Sequence, residues 1–301
     1  MSDASSSQPR VAFQGARGAF SEIAVRKLFP LGAEPVPCRT FEDLFAAIDT
    51  GAAELILAPL ENTLAGPVYR CYDLLYESQL QIIAEVGIPV VHCLIACEGA
   101  TLATLATVES HPVALAQCER FLCDHPTVQR RAADDTAASV EAVLAAGDLT
   151  RAAIASAAAA RLYGGTILRE HIEDDPNNFT RFALLSPPRP YSHEADTTSI
   201  ALTLPNVAGS LWKSLGPFAT RNLDLLNIVS RPLKGEPWHY RFFLDVAAPL
   251  SHRPVADALD ELDKSAHSVR VFGSYLSNRF DLANQQAQFA GRTKGEVPRA
   301  D

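Results

Sequence analysis

Apolar and polar residues alternate along the N-terminal part of the chain in a pattern that predicts short buried strands separated by amphipathic helices. The strand RVAFQ leads through a glycine loop into a helical pattern from Phe20, and the apolar stretch at 55–58 runs into a polar turn. The helical pattern FEDLFAAIDTG stops at Gly51, a residue suited to a helix end. This alternation is typical of α/β units built on a mostly parallel sheet.

The same alternation starts again after residue 105, with the strand ATVES, the helical stretch PVALAQCERFL and further elements up to SAAAARLYG. We therefore predict two α/β lobes with a junction near 95–105. Three prolines in SPPRPYSHEAD indicate a linker at 186–196. Beyond the linker the predicted order is βαββαβ, which is the ferredoxin-like arrangement.

The predicted organisation is thus a two-lobed α/β domain at 10–187 followed by a ferredoxin-like domain at 196–276. Residues 1–9 and 280–301 have no apolar period, and we expect both segments to be disordered tails.

Composition narrows the class of protein. Hydrophobic residues make up 48% of the chain and charged residues 20%, as in ordinary soluble globular proteins. The sequence has no run of membrane-spanning length and no apolar leader, so we expect a cytoplasmic protein without a membrane partner. A net charge of −9 argues against a nucleic-acid partner and means that an anionic ligand needs local positive groups. The six cysteines form no CxxC pair, which favours buried free thiols over a metal site.

Polar residues interrupt the apolar pattern where strands end. Glu61, Asn62 and Thr63 follow a buried strand, the place where ligands bind in open α/β sheets. Asn62 and Thr63 could instead cap the next helix. Ser110 also ends a strand, where it could bind a ligand or cap the next helix. Gln117 lies among apolar residues and belongs either to a ligand site or to a solvated helix face.

Two further places combine polar chemistry with buried patterning. The loop GARGAFSE at 15–22 enters a helix and could bind an anion, although simple turn chemistry of its glycines is the favoured interpretation. Thr180 and Arg181 stand inside the apolar strand FTRFALLS and point to opposite faces. A structural ion pair of Arg181 with Asp174 or Asp175 is the alternative to a ligand site.

Five of these stretches together, FQGARGAFSE, PLENTLAGPV, SHPVALAQC, DDTAASVEAV and NNFTRFALL, resemble the successive motifs of prephenate dehydratases. The segment 196–276 is similar to the ACT domain of these enzymes. Stretches such as YDLL and HCL also resemble plant arogenate dehydratases. The resemblance implies a catalytic fold like that of type II periplasmic binding proteins, with the active site between its lobes.

The resemblance also implies an activity and a site. The reaction is the loss of water and CO2 from prephenate to give phenylpyruvate, without a metal or an organic cofactor. The residues implied as catalytic are Thr180, Arg181 and Glu61. Those implied as substrate-binding are Asn62, Ser110, Gln117, Phe182, Ser21 and Thr136.

Regulation is implied as well, because ACT domains of this family bind phenylalanine between protomers of a homodimer or homotetramer. The implied effector site comprises Asn206, Val207, Ala208, Gly209, Leu211, Ser230, Arg231 and Pro232. The chain departs from the bacterial pattern at Ala19, where a threonine is usual, and at Val229, where a glutamate is usual. We expect assembly to cover apolar residues of the sheet such as Leu225 and Ile228.

The chemistry suggests roles for the three implied catalytic residues. An arginine fork fits a carboxylate, so we expect Arg181 to bind the side-chain carboxylate of prephenate. Thr180 can donate a hydrogen bond to the departing hydroxyl, and Glu61 is a possible proton source. The alternatives are arogenate dehydratase and, more remotely, a two-lobed amino-acid sensor without activity.

Overall fold

The computed structural model describes residues 8–277, which form two units. The first unit comprises the described residues up to Gly66 together with 86–182, and the second comprises 67–85 and 183–277. All but residues 8 and 9 of the predicted tails lie outside the described residues. The strands and helices are, in chain order, β1 (Arg10–Gln14), α1 (Phe20–Leu28), β2 (Glu34–Cys38), α2 (Phe41–Asp49), β3 (Leu55–Asn62), β4 (Gly66–Pro67), α3 (Tyr69–Glu77), β5 (Gln81–Pro89), β6 (Cys93–Ala96), β7 (Thr107–Ser110), α4 (Pro112–Ala116), α5 (Glu119–Cys123), β8 (Gln129–Ala132), α6 (Thr136–Ala146), β9 (Arg151–Ala155), α7 (Ala157–Tyr163), β10 (Thr166–Arg169), β11 (Phe179–Ser186), β12 (Thr197–Thr203), α8 (Ser210–Ala219), β13 (Leu225–Pro232), β14 (Tyr240–Val246), α9 (Arg253–Asp263) and β15 (Ser268–Tyr275).

Two separate sheets confirm the predicted pair of α/β lobes. The first has the order β2-β1-β3-β11-β5, with β4 beside β3, and β1 pairs in parallel with both β2 and β3. The second has the order β10-β6-β9-β7-β8. In this sheet β7 pairs in parallel with β8 and β9, whereas β6 pairs antiparallel with β9 and β10. The expectation of mostly parallel strands is therefore wrong for β6 and β10.

The second sheet is buried on both faces by helices. Leu94 and Ile154 pack with residues of α4 and α5, whereas Ile95 and Ala153 on the neighbouring positions pack with α6 and α7. Strand alternation explains this division, since successive side chains point to opposite faces. Burial of both faces accounts for the nearly continuous apolar sequence of β6 and β9.

The crossings between the two sheets lie at 90–92 and 170–178. The chain leaves the first sheet after Pro89 and enters the second at Cys93, so the change of lobe precedes the expected junction at 95–105. The chain returns between the last residue of β10 and the first of β11. The two crossings are hydrogen-bonded to each other, because the Val90 amide donates to the Asn178 carbonyl at 2.8 Å.

The stretch predicted as one helix over PVALAQCERFL is two short helices. α4 ends before Gln117, which is its C-cap, and α5 begins after Cys118. The carboxylate of Asp174, from the returning crossing, accepts hydrogen bonds from the amides of Glu119 and Arg120 at 3.0 Å each. This cap at the start of α5 stabilises the break and leaves Gln117 between the two helices.

The second unit confirms the predicted βαββαβ order. Its four strands form an antiparallel sheet of order β13-β14-β12-β15, and α8 and α9 pack on one face around buried residues such as Phe218 and Leu262. Leu225 packs against this core, so the expectation that Leu225 lacks cover is wrong, whereas Ile228 is 48% exposed. The sheet face opposite these helices is the point of contact with α3.

Aromatic residues hold α3 against the sheet. The Tyr72 ring lies 5.0 Å from that of Phe243, and the Tyr76 ring lies 6.2 Å from that of Phe272. Arg270 donates to the carbonyls of Tyr76 and Ser78 at 2.6 Å each, at the end of the helix. Residues 67–85 therefore group with the C-terminal sheet, although the sequence pattern assigns them to the first domain.

Gly273 allows a strand to approach this face closely. A Cβ atom at Gly273 would collide with the carbonyl oxygen of Ile82 in β5. We predict that Gly273→Ala lowers the free energy of unfolding by about 3 kcal/mol, because backbone must move to admit the methyl group. The matched control is Gly235→Ala at a turn with φ +81° and open space around it, which should cost only about 1 kcal/mol. Equal losses in denaturant unfolding would contradict the close approach.

Candidate active site

Asn62 stands at the end of β3 and joins several segments of the first unit. Its side-chain oxygen accepts the amides of Leu64 and Ala65 at 3.0 and 2.8 Å. Its side-chain nitrogen donates to Asn178 Oδ1 at 2.7 Å and to Thr180 Oγ1 at 3.0 Å, and also to the carbonyl of Phe179 at 3.0 Å. The predicted role of Asn62 as a turn-capping residue and its place beside Thr180 are therefore compatible.

The backbone fixes which way the Asn62 amide points. Leu64 and Ala65 can only donate from their amides, so the oxygen of Asn62 must face them and its nitrogen must face Thr180. An amide nitrogen cannot accept a hydrogen bond, and Thr180 Oγ1 therefore acts as an acceptor toward Asn62. The proton of the Thr180 hydroxyl is left to be donated in another direction.

Gln117 and His92 extend this network. The Gln117 side-chain nitrogen lies 3.5 Å from Asn62 Oδ1, and its oxygen lies 2.9 Å from His92 Nε2. Gln117, Asn62 and Thr180 are half-buried, whereas His92 is 2% exposed and Asn178 1% exposed. The network thus has one side that is partly exposed to solvent, and His92 and Asn178 form its buried side.

Glu61 and Arg181 lie on the other faces of the same two strands. Strand alternation turns Arg181 away from the side of β11 that carries Thr180, and the Arg181 side chain is 7% exposed. Its Nε atom is 3.7 Å from Glu61 Oε2. The carboxylate of Asp174 caps α5, and that of Asp175 accepts the Asn177 amide at 2.8 Å.

Known proteins share this architecture and sequence. The family described as Prephenate dehydratase matches residues 11–190. Arogenate dehydratase/prephenate dehydratase 2, chloroplastic, of Arabidopsis thaliana is 39% identical over 280 residues, which cover 89% of this chain and 73% of that protein. The chain belongs to the prephenate dehydratase family.

Two solved structures share the fold of this chain over nearly its whole length. A prephenate dehydratase from Arthrobacter aurescens in complex with L-Phe is 29% identical, with a TM-score of 0.83, and the match covers 95% of this chain and 100% of that one. A structure described as GqqA, a novel type of quorum quenching acylases, is 35% identical with a TM-score of 0.83, covering 90% of this chain and 99% of that one. As a member of the prephenate dehydratase family, the chain is a hydro-lyase, which removes the alternative of a sensor without activity.

The other residues expected in the dehydratase site stand apart from the Asn62 network. Ser110 is fully buried and donates to the carbonyl of Ile154 at 2.6 Å, which joins β7 to β9. Ser21 lies in the first turn of α1, and Thr136 is the first residue of α6. Phe182 is buried in β11 at 2% exposure.

The glycine loop before α1 packs closely against the second lobe. Gly15 and Gly18 have φ of +115° and +83°, in agreement with the turn chemistry favoured from the sequence. A Cβ atom at Gly18 would lie 2.8 Å from the Cα of Ala159, and the Ser156 hydroxyl donates to the Gly18 carbonyl at 2.7 Å. The Asp135 carboxylate caps α6, which places negative charge at this helix start and disfavours a further anion there.

Sequence reasoning missed His92 and Asn178 as members of the site. The available signal for His92 was an imidazole inside the apolar stretch VVHCLIAC. Asn178 Nδ2 and His92 Nδ1 are both buried without a hydrogen-bond partner among the described residues. Buried polar atoms of this kind are rare in stable cores and are found more often where a protein binds or reacts.

The described residues contain no group of three or more His, Cys, Asp or Glu that could hold a metal ion. All six cysteines are free, as the sequence suggested, and four of them are buried. Burial raises the pKa of Cys93 to about 11, so its thiol stays protonated and unreactive at neutral pH. In the same part of the chain no helix is long and apolar enough to cross a membrane.

His92 should make stability depend on pH. Burial lowers the pKa of His92, so the unfolded chain takes up a proton at a higher pH than the folded protein does. The free energy of unfolding should therefore fall as the pH drops below about 6.5. We predict that this loss between about pH 7.5 and pH 5 is smaller in His92→Leu by on the order of 1 kcal/mol. Urea unfolding at both pH values measures it, and parallel losses in the two proteins would refute it.

Proposed function

We propose that this member of the family dehydrates and decarboxylates prephenate to phenylpyruvate. The observation that carries the proposal is the fixed direction of the hydrogen bonds at Asn62, which leaves the Thr180 hydroxyl as a donor. Prephenate loses its ring hydroxyl and its ring carboxylate while the ring becomes aromatic. A donor at the departing oxygen is therefore the group that this reaction needs most.

Thr180 acts in this scheme by stabilising the developing negative charge on the departing hydroxyl. A threonine hydroxyl is a weak acid, so donation of a hydrogen bond is sufficient and full proton transfer from it is not required. The half-buried position of Thr180 strengthens the interaction, because little water competes for the same oxygen. Asn62 keeps the hydroxyl oriented by donating to its oxygen.

Gln117 provides a further donor on the open side of the network, where an oxygen atom of the substrate can accept. The support for Arg181 as a direct ligand of the side-chain carboxylate is weaker, because Arg181 occupies the other face of β11. We assign Arg181 the task of holding Glu61 at the end of β3, which keeps Asn62 in register with Thr180. Glu61, at 38% side-chain exposure, remains the candidate proton source.

Arogenate is the alternative substrate, and the names of the curated relatives favour it about as much. One relative is named Arogenate dehydratase 2 of Petunia hybrida and is 39% identical over 288 residues, covering 90% of this chain and 73% of that protein. Prephenate carries a keto oxygen where arogenate carries an ammonium group. The donor contributed by Gln117 complements a keto oxygen and not an ammonium group, and we therefore place prephenate first.

Turnover of both substrates by one purified sample tests the proposal. We expect formation of phenylpyruvate from prephenate with a larger kcat/KM than formation of phenylalanine from arogenate. A larger kcat/KM with arogenate would assign the chain to the alternative activity. Turnover of neither substrate would overturn the proposed function.

We predict that Thr180→Ala lowers kcat by roughly 100-fold or more while KM changes little, because the hydroxyl matters mainly as the C–O bond breaks. Thr180→Ser is the matched control, since it keeps the donor, and it should retain most of the activity. A near-normal kcat in Thr180→Ala would remove Thr180 from the mechanism. Steady-state kinetics with prephenate decide between these outcomes.

We further propose that the βαββαβ domain is an ACT domain that binds phenylalanine as an inhibitor. The Arthrobacter aurescens relative was solved in complex with L-Phe, and the expected site at 206–211 surrounds the start of α8. Gly209 adopts φ +82° there with open space around it, and Val207 is 66% exposed. These features suit recognition of an amino acid by backbone groups.

Arg231 takes a different place from the one expected in the effector site. Its guanidinium donates to the Asp73 carboxylate at 2.9 and 2.7 Å and lies 4.7 Å from the centre of the Tyr69 ring. Both partners belong to α3, which follows the loop of Asn62 directly in the chain. We propose that this ion pair couples the effector domain to the site loop, whereas Ser230 and Pro232 are left for the effector or an assembly contact.

Asp73→Asn should separate inhibition from activity. We predict that it raises the phenylalanine concentration for half-inhibition by about 5-fold or more, because a coupling of ~1–3 kcal/mol is typical of regulation. Glu77→Gln, which alters an exposed ion pair of α3 with Lys234, is the matched control and should leave inhibition unchanged. Equal inhibition curves for wild type and Asp73→Asn would exclude this route, and a parent enzyme insensitive to phenylalanine would exclude the regulatory proposal.

Assembly into a homodimer or homotetramer is part of the same proposal. Ile228 and Tyr240 are 48% and 38% exposed on neighbouring strands at the β13 edge of the sheet, and Trp212 on α8 is 78% exposed. Large apolar side chains that are exposed in this way suit a contact with a second protomer. The cytoplasmic location expected from the sequence stays a prediction.

A further inference from the structure

We propose that His92 is a positioning residue of the dehydratase site: its Nε2–H holds the side-chain amide of Gln117 with the nitrogen toward Asn62. Gln117 is thereby kept as a hydrogen-bond donor to the ligand. The reaction named here rests on the proposed function, whereas the orientation of the two side chains does not. The hydrogen bonds at Asn62 and the buried Nδ1 atom of His92, at the two ends of the network, each favour this orientation.

Asn62 presents its side-chain oxygen to the amide group of Gln117. Its side-chain oxygen already accepts the amides of Leu64 and Ala65, so its position and polarity are set by the backbone. Gln117 approaches that oxygen to 3.5 Å. An amide nitrogen at this place is attracted, whereas an amide oxygen would be repelled. The Gln117 oxygen must then face His92.

The surroundings of the His92 ring determine which of its nitrogen atoms carries the proton. Its Nδ1 atom is buried and has no hydrogen-bond partner among the described residues. A neutral imidazole carries its proton on one nitrogen only, and a buried N–H without an acceptor is less tolerable than an unused lone pair. The proton therefore belongs on Nε2, which lies 2.9 Å from Gln117 Oε1 and donates to it.

The imidazole is held firmly enough to impose this orientation. The His92 amide donates to Glu173 Oε2 at 2.8 Å, and its carbonyl accepts from the amide of Ile172 at 3.2 Å. The ring meets Phe20 edge-on at 5.7 Å between centroids. Burial lowers the pKa of His92, so the ring is neutral at neutral pH.

The consequence is a second N–H group on Gln117 that has no acceptor within residues 8–277. The Gln117 nitrogen carries two N–H groups, and the one not directed at Asn62 remains for a ligand oxygen. The contact of Gln117 with Asn62 is long at 3.5 Å and holds the amide only weakly. Without His92 the amide can therefore rotate and present its oxygen, which would repel the oxygen atoms of prephenate. The loss then appears in binding and in catalysis through Gln117, not through His92 itself.

A double-mutant cycle tests whether His92 acts through Gln117. The proteins are wild type, His92→Leu, Gln117→Ala and the double variant, assayed for kcat and KM with prephenate. We expect His92→Leu to lower kcat/KM by about 10-fold, as suits a misplaced donor. In the Gln117→Ala background the same change should cost less than about twofold, because the group that His92 positions is gone. Independent, multiplicative losses would overturn the proposal, as would a fully active His92→Leu.

Two variants separate positioning from folding. His92→Gln can place an amide N–H near the position of Nε2, and it should recover most of the activity that His92→Leu loses. His125→Leu is the matched control, since the His125 ring lies in the same unit and contacts Phe121, through a 2.8 Å hydrogen bond to its carbonyl and through its ring at 4.6 Å. It should keep wild-type kinetics. A loss of equal size in His92→Gln and His92→Leu would make His92 a packing residue and overturn the proposal.

Nitrogen NMR of the imidazole provides a readout that does not need the reaction. We expect the His92 signal, identified among eight histidines by its disappearance in His92→Leu, to show the Nε2–H tautomer at neutral pH. The Nδ1–H tautomer or a protonated ring would overturn the orientation. Should the enzyme turn over neither prephenate nor arogenate, the proposed function fails and the tautomer alone decides the positioning claim.

Discussion

The hydrogen bonds from the amides of Leu64 and Ala65 to Asn62 Oδ1 set the direction of the polar contacts that Asn62 makes with Thr180 and Gln117. Backbone amides cannot reverse their role, so this local turn fixes the Asn62 side chain without help from the rest of the fold. Thr180 is forced to accept, and Gln117 is forced to present its nitrogen. A chemically directional site thus begins with a short turn at the end of one strand.

Sequence reasoning identified the members of this site that interrupt apolar patterns locally. Asn62, Gln117 and Thr180 are polar residues within otherwise apolar stretches of a strand or helix. Each of them belongs to the hydrogen-bond network around Asn62. Their connection to His92 was not predictable, because it depends on the break between α4 and α5. That break is stabilised by the carboxylate of Asp174, a residue distant in sequence.

The elements that the pattern failed to predict have a common position. β2, β8 and β10 each lie at the edge of a sheet, and β8 is exposed throughout. An edge strand has one neighbouring strand and little buried surface, so it needs no alternating apolar residues. The edge strand β2 contains two prolines, which lack the N–H group that a central strand uses for pairing. The attachment of α3 to the C-terminal sheet was not predictable for a different reason. An amphipathic pattern shows that one face of a helix is buried, but it does not show which element covers that face.

The location of the network at the crossings between the two lobes explains why it can contain unsatisfied groups. The Val90 amide on one crossing donates to the Asn178 carbonyl on the other, and the His92 amide donates to the side-chain carboxylate of Glu173. These bonds hold the crossings in place, so the side chains need not contribute to stability. The unpartnered Nδ2 of Asn178 and Nδ1 of His92 each cost free energy of folding, on the order of 1–3 kcal/mol for a buried polar group. A rigid backbone offsets that cost, and the buried side chains of Asn178 and His92 orient Asn62 and Gln117, which lie on the partly exposed side of the network.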